Sequence, residues 1–274
     1  MAKSYNESFI FESDYKLKDK PTIIVITPTY FRAEQKADLV RLSQTLLHIP
    51  KIYWILVEDS LVKSEWISKF LKRIKSLSIR QGFDFTHLNI ITPPQFKIKP
   101  TDPSWKWPRG VWQRNEALRV IREESISIDG EGVVYFADDD NTYDLRLFDE
   151  IRTTKLVSIF PVGLVGGLFV EKPLVKDNKI IGFNAKFKPE RVYPVDMAGF
   201  AVNLKLIKEK RKSIFFVNSS IGMLETNFLE SLLDGRHQLE PKANGCRQIL
   251  VWHTKTVKNS MKSYNHFTSS YFDD

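Results

Sequence analysis

One cysteine, Cys246, stands in a chain of 274 residues, so an intrachain disulfide and a cysteine-built zinc site are both excluded. No apolar run approaches the ~20 residues of a membrane-spanning helix. Met1 to Lys20 is polar and charged and holds no signal-peptide core, so the chain reads as soluble. With 12 glycines and 13 prolines, a long low-complexity region is ruled out, and no internal repeat occurs. Acidic residues are the minority, 33 against 41 Lys and Arg, for a net charge of +8. That excess suits nucleic acid, an acidic surface or a small anionic substrate. The basic residues are scattered rather than packed into one arm, which argues against a nucleic-acid partner. Two sequons, at Asn6 and Asn218, matter only in the secretory pathway.

What is present alternates between strand-like and helix-like patterns. Thr22–Thr27, Ile52–Val57, Leu88–Ile91 and Val133–Ala137 read as strands. Arg32–Leu47 reads as a helix with Ala33, Ala37, Val40 and Leu47 on its buried seam. A second helix, with Ser64 as its cap, carries Ile67, Phe70, Leu71 and Ile74. Arg109–Glu124 follows a Pro- and Trp-bearing loop over residues 94–108. This order predicts an α/β chain with a mainly parallel sheet covered by helices. Later, 158–170, 180–187 and 193–204 suggest short strands, Met223–Leu233 a helix, and Ile249–Trp252 a last strand. The expected organisation is a polar segment 1–20, one catalytic unit 21–255 divided into a nucleotide half (21–141) and an acceptor half (142–255), and a tail 256–274.

The densest chemistry follows the fourth strand: Asp138, Asp139 and Asp140 stand in a row. Adjacent carboxylates repel, and burying them without a cation is costly. A hard divalent ion with oxygen ligands resolves that cost; a solvated acidic turn is the plain alternative. Strand ends in an open parallel sheet share one edge, which gathers Pro28, Thr29, Tyr30, Asp59, the acid triple, His253 and Lys255. Tyr30 is placed to stack on a base or to sit on a rim. Asp59 is placed to accept hydrogen bonds from a base or sugar or to cap a helix. Arg109 and Arg114 suit phosphate oxygens, whereas Arg119 and Arg122 read as a solvated helix face. His253 and Lys255 alternate on a strand and face one side; such a histidine is either structural or a donor to a leaving group.

Several strings together carry a family resemblance: TPTY (27–30), LVED (56–59), RG with QRN (109–115), VVYFADDDNTY (133–143), PVGLVGG (161–167), PVDMAGFA (194–201) and LVWHT (250–254). In order and spacing, residues 21 to 256 resemble the β-1,3-glucuronyltransferases of glycosyltransferase family 43. The resemblance implies a GT-A-type fold: a Rossmann-like nucleotide-binding half fused to a mixed-sheet acceptor half. It implies inverting transfer of glucuronate from UDP-glucuronate to the 3-hydroxyl of a terminal galactose, as in proteoglycan linker synthesis. Asp140 is then the ligand of Mn2+, and Asp138 and Asp139 hold uridine and ribose. Pro28, Thr29, Tyr30, Asp59, Arg109, Arg114, His253 and Lys255 bind the donor. Glu171, Phe187, Arg191 and Asp196 meet the acceptor. Glu225 is the general base; without the resemblance it reads as a first-turn glutamate favoured by the helix dipole, with Glu230 as its decoy.

Departures from the family pattern are Lys255 where many members carry Arg, Phe187 where some carry Trp, Ile221 where at least one carries Arg, and Trp112 where some carry an acid. The family's habit implies a homodimer in the Golgi lumen, with the tail reaching a partner subunit. A non-catalytic UDP- or glycan-binding protein of the same fold is the alternative, although Asp140 and Glu225 together argue for turnover.

Overall fold

In the computed structural model, residues 20–257 are described apart from 79–81, 100, 104, 105, 127 and 129. Most of the expected N-terminal segment, including Asn6, and the tail beyond residue 257 lie outside the described residues. Asn218 is exposed.

The chain enters through β1 (Thr22–Thr29), whose Ile23 to Thr27 are buried. Such a run, apolar on both faces, suits a central strand of a parallel sheet. It pairs in parallel with β2 (Ile52–Glu58) on one side and β4 (Gly132–Phe136) on the other. Strand β3 (Asp84–Asn89) lies outside β2, earlier in sequence than the Leu88–Ile91 run. Its single sheet neighbour leaves most of it half-buried, so its apolar signal is weak.

Among the described residues, seven strands form the main sheet in the order β11-β6-β10-β4-β1-β2-β3. Here β6 is Val157–Ile159, β10 is Phe200–Asn203 and β11 is Leu239–Pro241. Only β10 among them runs antiparallel to its neighbours. A second sheet has the order β5-β12-β7-β8-β9, with β5 Thr142–Tyr143, β7 Val162–Gly163, β8 Val170–Lys176, β9 Lys179–Asn184 and β12 Val251–Trp252. The chain is therefore α/β with a mainly parallel main sheet. Three strands from beyond residue 142 complete that sheet, so the sequence halves interleave.

Helices cover both faces. Helix α1 (Gln35–Leu46) buries Gln35, Asp38, Leu39, Leu42, Ser43 and Leu46. The expected seam was a different one: Ala33 and Ala37 are exposed, and Val40 and Leu47 only half-buried. Three of the inward residues are polar, so reading apolar residues alone turned the helix off its true face. Helix α2 (Glu65–Leu77) buries Ile67, Phe70, Leu71 and Ile74 as expected. Ser64 occupies its N-cap position without a side-chain cap; instead its backbone N–H donates to Glu58 at 2.7 Å.

Helix α3 (Val111–Arg122) begins after Gly110, which has φ +70°. Arg119 is the expected solvated residue, paired with Glu116 and Glu123. Arg122 is not: it is buried and donates to the carbonyls of Ile207 at 3.0 Å and Ser213 at 2.5 Å. Those loose carbonyls lie at and beyond α5 (Leu204–Glu209), and a buried guanidinium satisfies them. Helices α4 (Leu145–Arg152) and α6 (Leu224–Leu232) complete the cover.

Phe136 on β4, Phe200 on β10, Phe215 and Phe228 on α6 pack as one aromatic cluster. Phe215 and Phe228 stack at 4.1 Å, and Phe136 meets both edge-on. Cys246 is buried, its thiol pushed up to about 12 by desolvation. No helix among the described residues is long and apolar enough to cross a membrane.

Candidate active site

The main sheet opens at one place. Strand β4 leaves β1 at the pair Ile26–Phe136, while β1 runs on beside β2 to the pair Thr29–Glu58. Pro28 falls in that unpaired stretch, where its missing N–H removes no ladder bond. The acid triple departs from the same point. This is a topological switch point, with β2 and β3 to one side of β1 and β4 to the other, and such crevices bind ligands.

Each aspartate of the triple has a different environment. Asp138 accepts from Arg114 Nη2 at 2.5 Å. Asp139 is buried, and its two oxygens accept from Arg32 Nη2 and Thr29 Oγ1, each at 2.7 Å. Desolvation still holds Asp139 above the ordinary carboxylate range. The carboxylate of Asp140 accepts no hydrogen bond among the described residues. Desolvation and then the neighbouring charges of Asp139 and Asp138 push it up to about 6. Two carboxylates are thus neutralised by arginine, and the third is left uncompensated at the crevice edge.

That donor set fits a hard cation held by Asp140, because an unpaired carboxylate raised by its neighbours is relieved by a positive charge. Among the described residues no three His, Cys, Asp or Glu side chains converge on a point. Asp140 is the carboxylate of the triple that would hold such an ion.

Tyr30 is 46% exposed, and the Arg32 guanidinium covers its ring at 4.8 Å. The backbone N–H of Asp59 donates to the Thr29 carbonyl at 2.8 Å, which binds the Asp59 loop to the same edge. The Asp59 carboxylate accepts from Thr92 N and Thr92 Oγ1, both at 2.7 Å, so it fastens the segment after β3 and caps no helix. Arg109 is exposed, and its carbonyl accepts from Arg114 Nη1 at 2.8 Å. A Cβ on Gly110 would meet that same nitrogen at 2.5 Å and Pro28 Cγ at 3.0 Å. Glycine is required there both for φ and for the close passage of Arg114.

The opposite wall comes from the second sheet. His253 and Lys255, with Leu164 to Gly167 and Thr254, line a cavity of about 520 Å3. His253 Nδ1 lies 3.4 Å from Asp196 Oδ2, outside hydrogen-bond geometry, and this carboxylate holds the imidazole above its usual range. Asp196 also caps the turn at Met197–Gly199 by accepting from Ala198 N at 3.0 Å. Glu171 on β8 is buried, and desolvation raises it despite a hydrogen bond from the Lys186 backbone.

Glu225 lies in the first turn of α6. The residue keeps some solvent contact, but packing around its carboxyl is dense. Desolvation, then the charge of Asp196, pushes it up to about 7 against the opposing pull of Arg114 and Arg191. Glu230, its decoy, is exposed. Arg191 is buried, and each of its three guanidinium nitrogens donates to backbone: the carbonyls of Lys188 (3.1 Å), Phe187 (3.0 Å) and Gly222. It pins the loop that bears Phe187, whose ring is 45% exposed and packs over Gly222. Ile221 is exposed beside it. Trp112 faces away, half-buried against Phe96 at 5.1 Å.

Buried polar atoms without partners gather here. Among the described residues they are Arg114 Nε, both amide atoms of Asn141, His253 Nδ1 and, elsewhere, Arg152 Nε. Native interiors rarely leave such atoms unpaired unless a ligand or water meets them. Sequence reading missed Arg32, Asp38, Arg41, Thr254 and Thr256, all of which bond into this edge. The available signal was a charged residue on the inward side of α1.

Comparison with known proteins adds independent findings. The description of Glycosyltransferase family 43 matches residues 42–257. The chain is 47% identical over 251 residues to galactosylgalactosylxylosylprotein 3-beta-glucuronosyltransferase 3 of Homo sapiens, covering 88% of this chain and 72% of that protein. It is 48% identical over 242 residues to the sqv-8 enzyme of the same description from Caenorhabditis elegans, covering 88% of this chain and 66% of that one. Among solved structures, a mannosyltransferase from Pyrobaculum calidifontis has a TM-score of 0.47 at 13% identity, covering 86% of this chain and 62% of that chain.

Proposed function

The chain belongs to glycosyltransferase family 43 and is an enzyme of the glucuronosyltransferase type, and on that premise we propose that it moves glucuronate from UDP-glucuronate to the 3-hydroxyl of a terminal β-galactose, with inversion at the sugar. The observation that carries this reading is the place of Glu225, in the first turn of α6 within the field of Asp196, Arg114 and Arg191, where desolvation and then Asp196 push its carboxyl up to about 7. A general base works best with a pKa near the operating pH. Inversion needs one such carboxylate to take the acceptor proton while the donor is attacked from the far face.

The remaining residues take roles by position. Tyr30 stacks on uracil, with Arg32 behind its ring, and Asp59 holds the base edge. Arg109 and Arg114 attend the ribose and diphosphate beside Asp138 and Asp139. Asp140 would hold Mn2+, which supplies charge stabilisation to the departing UDP. His253, its proton retained by Asp196, and Lys255 face the same leaving group and the glucuronate carboxylate. Phe187 offers a sugar-stacking face on the loop pinned by Arg191, with Glu171 and Asp196 as hydrogen-bond acceptors for the galactose hydroxyls. By family habit the enzyme works as a homodimer in the Golgi lumen.

The test is release of UDP from UDP-glucuronate with a galactose-terminated disaccharide, with and without Mn2+. Turnover dependent on both acceptor and metal supports the reading. UDP binding without turnover on any galactoside would make the chain a UDP-binding protein of the same fold. Asp140→Asn is expected to weaken Mn2+-dependent UDP binding at least tenfold, measured by calorimetry; unchanged metal dependence removes Asp140 from its role.

A further inference from the structure

Asp38 has no part in the chemistry above, yet it is fully buried and heavily bonded. Its Oδ2 accepts from Arg32 Nη2 at 2.7 Å, and its Oδ1 accepts from Arg41 Nη2 at 3.0 Å and Thr256 Oγ1 at 2.5 Å. A buried charged cluster is a poor way to gain stability, since apolar residues of similar volume do as well or better. What the cluster supplies is connection. Through Arg32 it reaches Asp139 at 2.7 Å. Through Thr256 it reaches the last described stretch of chain. Arg41 also donates to the Asp140 carbonyl at 3.2 Å, and Thr254 Oγ1 donates to that same carbonyl at 2.6 Å.

Residues 253–256 lie beyond β12 and not on a strand as expected, because the Thr254 N–H turns back to the Trp252 carbonyl at 3.0 Å. Thr254 and Thr256 fasten to the Asp140 carbonyl and to Asp38, and Thr254 lines the cavity together with His253 and Lys255. The two threonines therefore flank Lys255 in sequence and fasten the chain on either side of it. Lys255 is exposed, with a long flexible side chain, so the backbone on either side of it must be held if its ammonium is to be delivered to one place.

We propose that Asp38 is a positioning residue of the donor site, holding the acid triple through Arg32 and the chain beside Lys255 through Thr256, so that both jaws around the sugar nucleotide are set from one buried carboxylate. This rests on the function proposed above and deepens it.

Thr256→Val removes the hydroxyl with little change of shape and leaves the buried charges in place. It is expected to raise the KM for UDP-glucuronate about tenfold, the scale of one hydrogen bond to a charged group, with the acceptor KM, kcat at saturating donor and Tm nearly unchanged. Thr256→Ser is expected to restore the donor KM. If Thr256 acts through Lys255, then Thr256→Val on a Lys255→Ala background adds little further loss, a non-additivity that a merely structural role does not produce. Asp38→Asn is expected to weaken donor binding more than Thr256→Val, because it loosens both jaws; the threonine variants carry the test if that chain does not fold. An unchanged donor KM in Thr256→Val, or full additivity with Lys255→Ala, overturns the inference alone. Failure of the unaltered protein to bind UDP-glucuronate with Mn2+ overturns the proposed function and this inference together.

Discussion

A carboxyl that titrates near neutrality binds a proton more tightly in the folded chain than in the unfolded one. For Glu225, pushed up to about 7 against an ordinary value near ~4.3, the contribution to stability is fully present below the unfolded value and is lost as pH rises through about 7. In the role proposed for Glu225 catalysis runs the other way, since a general base must be ionised. The rate is therefore expected to fall as pH drops below about 7, the region in which the fold gains stability. Glu225→Gln is expected to lower kcat by a factor of about 100 or more while leaving UDP affinity near normal. At pH 8 the same variant is expected to melt about 2 to 4 °C higher, as roughly 1 kcal/mol does in a chain of this size. A pH-rate profile beside calorimetry at two pH values checks both. An unchanged profile, or a lower Tm at pH 8, removes Glu225 from the role. Residue by residue, the sequence pointed to the polar groups that end apolar strands and meet at this edge: Thr29, Asp59, and Asp138 to Asp140. It did not announce Arg32 or Asp38, because a charged residue buried by a partner far along the chain looks the same, in sequence, as one in water.

Elements were legible in proportion to their burial. Strands β1, β2 and β4 are apolar on both faces and stand out; the edge strand β3 does not. The failure at α1 is more instructive. Gln35 and Asp38 face inward there and bond Thr29 and Arg32, while Ser43 bonds back to the Val40 carbonyl of its own helix, so polarity marks an inward face rather than the solvent. The loop between Phe187 and Gly222 offers a sharper test. Gly222 has φ +77°, and an added Cβ would stand 2.3 Å from Phe187 Cε1. The ring cannot retreat freely, because Arg191 ties the Phe187 carbonyl and the Gly222 carbonyl together. Gly222→Ala is expected to raise the KM for the galactoside several-fold with UDP affinity unaltered, and to lower stability by about 1 to 3 kcal/mol from backbone strain. Steady-state kinetics with each substrate varied in turn separates the two effects.

At the scale of the molecule, two elements that must face each other are joined by aromatic packing. Phe136 precedes the acid triple, and Phe228 lies one turn beyond Glu225 on α6. Their contact, shared with Phe200 and Phe215, joins the strand that leads to the acid triple to the helix that bears Glu225. Phe228→Ala is expected to lower unfolding free energy by about 3 to 5 kcal/mol, read by urea denaturation, and to lower kcat more than UDP affinity. Nothing in the sequence pairs these phenylalanines, since the pairing depends on β10 entering the sheet beside β4. That entry has an evolutionary corollary. A front half traded between relatives and joined near residue 142 would set β4 of one protein against β10 of the other, so such an exchange holds only where that inherited seam matches.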